Sequence, residues 1–258
     1  MSQKEQQPVK KLQRAIEQLA HVKGIELRDA LGITCRMAVT ALTNALHQAR
    51  SAGSDEYGLA ALPEFDFGFF LEERNVIDEP SVEAASAYLD AVVRAEPFAD
   101  ILGDMHQHSI GSRQLAQFFT PPNLATGAAR FLDRATPMRP TLYEVLDPSC
   151  GAGALLLAHI RRRLQVEGSA GVWGMVLQGN DLDPLCSLMT ATQIFANEIA
   201  HGVVVGVVYI SVGDGLTLEG PPLHWSMRRD VQQHIAGLEL LRRLGEKERR
   251  LAETLRTG

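Results

Sequence analysis

The sequence predicts an α/β protein: a helical N-terminal domain over residues 1–112, followed by an incomplete parallel, doubly wound sheet. Three observations carry this expectation. Before residue 112, apolar residues recur at three- and four-residue spacing, the period of an amphipathic helix. Beyond Gln114, short β-branched runs alternate with glycine turns and helical patterns, the signature of a parallel sheet with crossover helices. That alternation stops after a third strand.

The bulk properties are compatible. A chain of 258 residues suits one large domain or two small ones, and 45% apolar against 22% charged residues excludes a disordered or fibrous chain. The net charge of -6 offers nucleic acid no global basic field, leaving only a local groove for such a partner. Cys35, Cys150 and Cys186 form no C-x-x-C pair, which argues against a disulfide framework or zinc ribbon and for a reducing, cytoplasmic compartment. The polar start lacks a signal core, and the longest apolar run, Val203 to Val212, is broken by Gly206 and too short for a bilayer. Secreted and membrane classes are therefore not expected.

Residues 1–8 read as a disordered polar lead ending at Pro8. Leu12, Ile16 and Leu19 define a helix from Lys10 to about Val22, stopped by Gly24. A second helix is expected over Glu26 to Leu31 and a third over Ile33 to about Ala49. From Asp55 to Asp104 thirteen acids face only Arg74 and Arg94. This is either a solvated helical face or a surface that repels DNA or docks a basic partner. Phe65, Phe67, Phe69 and Phe70 within it suit core or strand. Pro80 to Val93 and Asp100 to Ser112 read as helices. Then follow strand Thr141–Leu146, helix Leu155–Leu164, strand Gly174–Gln178, helix Pro184–Ile199 and strand Val203–Ser211.

The segment Val145-Leu-Asp-Pro-Ser-Cys-Gly-Ala-Gly-Ala-Leu-Leu-Leu157 joins the first strand to its helix. Gly151 and Gly153 let the backbone pass close to a ligand, and the helix start beyond them favours an anionic group. The second strand ends in Gly179-Asn-Asp-Leu-Asp-Pro184, where an acid can accept two ribose hydroxyls, and the third ends in Gly213-Asp214-Gly215. Asp183 before Pro184 suits a helix cap. No G-x-G-x-x-G and no phosphate-loop lysine is present.

Asp147-Pro-Ser-Cys-Gly-Ala-Gly153 resembles the S-adenosyl-L-methionine loop of N6-adenine DNA methyltransferases, most of all the modification subunits of type I restriction systems. Gln117-Phe-Phe-Thr-Pro121 is similar to the segment that closes over the methionine end of the cofactor, and Ala99-Asp-Ile-Leu-Gly-Asp104 to the helical lead-in. The resemblance spans roughly residues 99 to 216 and implies a Rossmann-like fold. It also implies that Thr120 and Pro121 contact the methionine moiety, that Asp147, Gly151 and Gly153 line the cofactor loop, that Asp181 holds the ribose and that Asp214 holds the adenine. DNA is then the implied partner and adenine N6 the methyl acceptor.

The chain departs from that family where the chemistry lies. The family's fourth strand ends in (Asn, Asp or Ser)-Pro-Pro-(Tyr, Phe or Trp), whereas the pair here is Gly220-Pro221-Pro222-Leu223, with neither a side-chain acceptor nor a ring. Pro221 and Pro222 are thus degenerate catalytic candidates. Trp225 suits packing. The first strand is expected to keep an unpaired edge, to be covered by the terminal helix or by a partner subunit that completes the sheet. Residues 113–225 are accordingly a partial cofactor domain. Residues 226–258 are expected as a basic amphipathic helix from Met227 to Arg256, which either touches phosphates or presents a solvated face. His106 and His108 lack companions for a metal site, and Cys150 reads as a buried filler. Two functions follow: methyl transfer to DNA adenine with a partner supplying the missing motif, or an inactive cofactor-binding or DNA-associated relative.

Overall fold

The computed structural model describes residues 3–52, 77–103, 105, 120–135, 143–215, 217 and 224–228. Helix α1 (Gln3–Lys23) buries Leu12, Ile16 and Leu19, the expected stripe. It begins at Gln3, which corrects the disordered lead over 1–8. Pro8 falls in the second turn, where it forfeits one backbone bond near the helix end, and Val9 beyond it packs on the core. Gly24 then stops the helix in the left-handed region at φ 64°. Helix α2 (Leu27–Ala52) replaces the two helices expected there. Gly32 does not break it: the helix runs on through that position, where a Cβ would make only ordinary contact with Leu185 Cδ1 at 3.7 Å.

Helix α3 (Glu79–Arg94) is capped by Asp78, which accepts from the Ser81 amide at 3.1 Å. Lys23 of α1 pairs with the same carboxylate. That hydrogen bond, more than any other influence, holds the Asp78 carboxyl at about 2. Residues 101–103 make a helical turn, and most of the helix expected to Ser112 lies outside the described residues. So do the phenylalanine cluster, His106, His108 and Gln117 to Phe119. Helix α4 (Pro122–Ala135) has no counterpart in the sequence expectations.

Next come β1 (Tyr143–Asp147), α5 (Ala154–Trp173), β2 (Met175–Asp181), α6 (Pro184–His201), β3 (Val207–Val212) and β4 (His224–Arg228). The sheet order is β1-β2-β3-β4, with β1, β2 and β3 parallel and β4 antiparallel to β3. Strand β4 corrects the start of the expected terminal helix: Met227 and Arg228 are strand residues, and the sheet continues past residue 225 because Ile210 pairs with Met227. Residues 229–258, Pro221 and Pro222 lie outside the described residues.

The molecule stacks in layers around α6. One core cluster joins α1, α2 and α3 to Leu185, Leu188, Met189 and Ala196 of α6. A second packs Leu156, Leu157 and Ile160 of α5 and Ala191, Ile194 and Phe195 of α6 on Leu177, Val208 and Ile210 of the sheet. Both helices therefore cover one sheet face. On the other face Leu146 is 65% exposed. Among the described residues the sheet is wound on one side only, unlike the doubly wound expectation. Strand β1 is the edge, with no partner beyond it among the described residues.

Candidate functional site

Parallel pairing of Asp147 with Gly179 and of Asp181 with Val212 brings three strand tips to one edge. Asp147, 8% exposed, accepts from the Ser149 amide at 3.1 Å. Burial, reinforced by the nearby Asp181 charge, pushes its carboxyl above the usual range. Asp181 reaches across the tips: one oxygen accepts from the Gly151 amide at 2.8 Å and the other from the Asp183 amide at 2.9 Å. Its remaining lone pairs are enough for hydroxyl donors.

The glycine turn is held from several sides. Gly151 and Gly153 adopt φ values of 55° and 93°, a region that side chains disfavour. A Cβ on Gly153 would meet Thr190 Oγ1 at 3.0 Å, so the turn lies flush on α6. Thr190 Oγ1 donates to the Gly151 carbonyl at 2.8 Å. Gly153 is the N-cap of α5 and supplies no side-chain cap, so the first amides of α5 keep their capacity to bind an acceptor. Cys150 is buried in the turn, its thiol pushed up to about 12 by burial, as suits a filler rather than a nucleophile.

Asn180 knots the tips together. Its Nδ2 donates to the Gly213 carbonyl at 2.7 Å and the Pro148 carbonyl at 3.3 Å, while Ser211 Oγ donates to its Oδ1 at 2.9 Å. Gly215 is required by this crowding, because a Cβ there would collide with the Pro148 carbonyl. Asp214 thereby comes to the same edge as Asp147 and Asp181, and one of its oxygens accepts from the Thr217 amide at 3.2 Å. Asp183 caps α6 through the Leu185 amide and pairs with Arg28.

Helix α4 brings in Thr120 and Pro121. Ala125 and Ala129 of α4 cluster with Ala154 and Ala158 of α5, and Asp133 accepts from Arg162 Nε at 2.6 Å. A constant offset of this kind means that α4 and α5 run parallel. The two residues ahead of α4 are thus level with the glycine turn ahead of α5. Sequence reasoning assigned no role to Asn180 or Thr190; for Thr190, polar residues recurring inside the apolar stretch 185–199 were a usable signal.

A cavity of about 730 Å³ lies between α1, α3 and the starts of α4 and α5. Arg94, Asp100, Pro122, Ala154 and Arg161 line it, but none of Asp147, Asp181 and Asp214 does. Among the described residues no cluster of ligating side chains suits a metal ion, and no helix is long and apolar enough to cross a membrane.

No protein-family model matches this chain, and no curated protein does. Among solved structures, one similar chain is a Listeria monocytogenes protein described as a candidate class I S-adenosylmethionine-dependent methyltransferase. Identity is 13% and the TM-score 0.43, over 83% of this chain and 56% of that one. This chain therefore spans little more than half of that structure's length. A likeness of that extent assigns no activity here.

Proposed function

We propose that this protein binds S-adenosyl-L-methionine at the C-terminal edge of β1, β2 and β3, and acts on DNA as a member of the N6-adenine methyltransferases. The observation that carries the proposal is the bond from the Gly151 amide to Asp181, which ties a glycine turn to an acid at the tip of the next strand. In an α/β sheet that is the place for a nucleoside. The residues fit such a ligand. Asp181 would take the ribose hydroxyls, Asp214 the adenine amine, and Gly151 and Gly153 would admit the backbone close to it. The uncapped start of α5 suits the carboxylate of the methionine end, which Thr120 and Pro121 would flank. The bound group would supply a methyl on a positively charged sulfur, and Asp147 would keep negative charge beside the turn.

Transfer to adenine N6 requires an acceptor for the amine and a ring for the base. Gly220 and Leu223 are neither. The proposal therefore includes a partner chain that completes the sheet beside β1 and brings that motif, in the cytoplasm, with DNA as substrate. A second reading, an inactive cofactor-binding or DNA-associated relative, is favoured by β4. The first described residue after Pro221 and Pro222 is His224, which pairs with Val212 of β3 on the side away from β1.

Calorimetric titration with S-adenosylmethionine tests the site. Binding is expected, and Asp181→Ala should weaken it about a hundredfold or more through loss of charge-assisted hydrogen bonds. Unchanged affinity in that variant would remove the site from this edge. Incubation with labelled cofactor and DNA, alone and with candidate partner chains, separates the two functions: no incorporation in any combination leaves the inactive reading.

A further inference from the structure

Helix α6 passes behind the glycine turn, and Gln193 on it is fully buried. Its Oε1 accepts from the Ile101 amide at 2.8 Å and the Leu102 amide at 3.1 Å. Its Nε2 donates to the Ala152 carbonyl at 2.8 Å and to Asp100 Oδ1 at 2.8 Å. One side chain thus spends its whole hydrogen-bonding capacity on two segments distant in sequence. The first is the helical turn at 101–103, whose leading amides Gln193 caps from outside while Asp100 accepts from the Gly103 amide at 2.9 Å. The second is the turn between β1 and α5. One helical turn away along α6, Asn197 accepts from the Phe98 amide at 2.6 Å and donates to the Gln193 carbonyl.

Three residues before Gln193, Thr190 holds the Gly151 carbonyl. Two successive carbonyls of the glycine turn are therefore drawn toward α6. Because a trans peptide sets its carbonyl and the following amide in opposite directions, the Ala152 amide is turned away from α6. Gln193 fixes the orientation of the turn and, through the same amide group, the position of residues 100–102.

We propose that Gln193 is a positioning residue for the cofactor, which acts through the Ala152 carbonyl and makes cofactor binding and the docking of the 98–103 segment one coupled event. The inference rests on the cofactor site proposed above. Coupling is reciprocal: a ligand that orders the glycine turn also tightens the helical turn at 101–103.

The test uses the full chain, S-adenosylhomocysteine as unreactive probe, Gln193→Glu, and the double variant Gln193→Glu with Asp100→Asn. The new carboxylate still accepts from Ile101 and Leu102 but cannot donate to Ala152, and it faces Asp100. The second substitution relieves that repulsion, keeps a carbonyl at position 100 to accept from the Gly103 amide, and restores no donor for Ala152. Thermal stability should fall in the single variant and recover in the double, while affinity stays about tenfold weaker in both, the size of one lost buried hydrogen bond. Hydrogen exchange at the Ile101 and Leu102 amides should slow on ligand addition in the unsubstituted protein and not in the variants. That measurement on the unsubstituted protein decides the matter if the variants fail to fold. Affinity that recovers together with stability, affinity unchanged in both variants, or exchange at those amides indifferent to ligand overturns the inference alone. Absence of binding by the unsubstituted protein overturns the function proposed above, and this inference with it.

Discussion

Helices α5 and α6 follow equivalent glycine- and aspartate-bearing strand tips, yet they meet different surroundings. α5 has a buried face (Leu156, Leu157, Ile160) and an exposed one (Leu155, Val166), so its periodicity resembles that of a peripheral helix. α6 is buried at every position from Leu185 to Glu198, between the helical layer and the sheet. Its polar residues cannot face water, and Ser187, Thr190, Gln193, Asn197 and Glu198 form tertiary bonds instead. Ser187 Oγ donates to the Ser211 carbonyl at 2.7 Å, and Glu198 accepts from the Val205 amide at 2.6 Å. With Thr190, Gln193 and Asn197 these place the β-tips and the 98–103 segment. The difference shows that a peripheral helix is stabilised through one face, whereas a central helix organises its neighbours through polar groups that burial makes costly to leave unpaired.

The largest expected effect tests the polar side of this contrast. Asn197→Leu leaves unpaired the amide of Phe98, a residue itself held at φ 58°, and should cost about 2–4 kcal/mol in urea denaturation. A cost comparable to a surface substitution would deny α6 its organising role.

His159 is the exception on α5 that sharpens the comparison. It is buried, its ring stacks on Tyr143 at 5.1 Å, and the Arg163 guanidinium lies 4.4 Å from the centre of the same Tyr143 ring. Neither ring nitrogen has a partner among the described residues. Burial, chiefly, lowers its pKa from the ordinary 6.5, against the opposing attraction of Asp133 and with help from Arg163. The fold thus refuses a proton that the unfolded chain accepts, so stability falls as the pH drops below about 6.5. His159→Phe should flatten that decline, measured as urea midpoints at about pH 7.5 and 5.5 on either side of the transition.

Asp147, at the strand tip that leads into α5, gives a smaller effect of opposite sign. Its carboxyl is raised, so the charged form is penalised in the fold at neutral pH. Asp147→Asn keeps an acceptor for Ser149 and should raise the melting temperature at pH 7. The gain disappears as the pH falls below the unfolded value, about 4. Weaker cofactor binding in the same variant would mark a residue kept for function at a cost in stability. The smallest effect belongs to Arg162→Ala, which removes a partly buried pair with Asp133 and should cost about 1 kcal/mol by the same denaturation measurement.

The strands, the glycine turn and the three acids at one edge were legible because they are local. β-branched runs mark strands, small residues mark turns, and parallel pairing brings successive tips to the same side whatever the rest of the chain does. Asp183 with Pro184 announced its helix start in the same way. Helix α4 did carry a local signal, Leu124, Phe131 and Leu132 at helical spacing, but that stripe is exposed, and the contact with α5 is made by alanines. β4 was missed because five residues, His-Trp-Ser-Met-Arg, carry no alternation strong enough to outweigh the helical pattern that follows.

The sequence by itself determined which segments would be strands, where the backbone could bend tightly, and which carboxylates would stand at the sheet's edge, since each depends on the preferences of a few consecutive residues. Only the tertiary structure decided that the helix would run on through Gly32, that both crossover helices would share one face, and that Asn180 and Gln193 would bind the turn to its surroundings. Those outcomes depend on which distant carbonyls and amides are left to satisfy once the core has closed, and no local pattern encodes them.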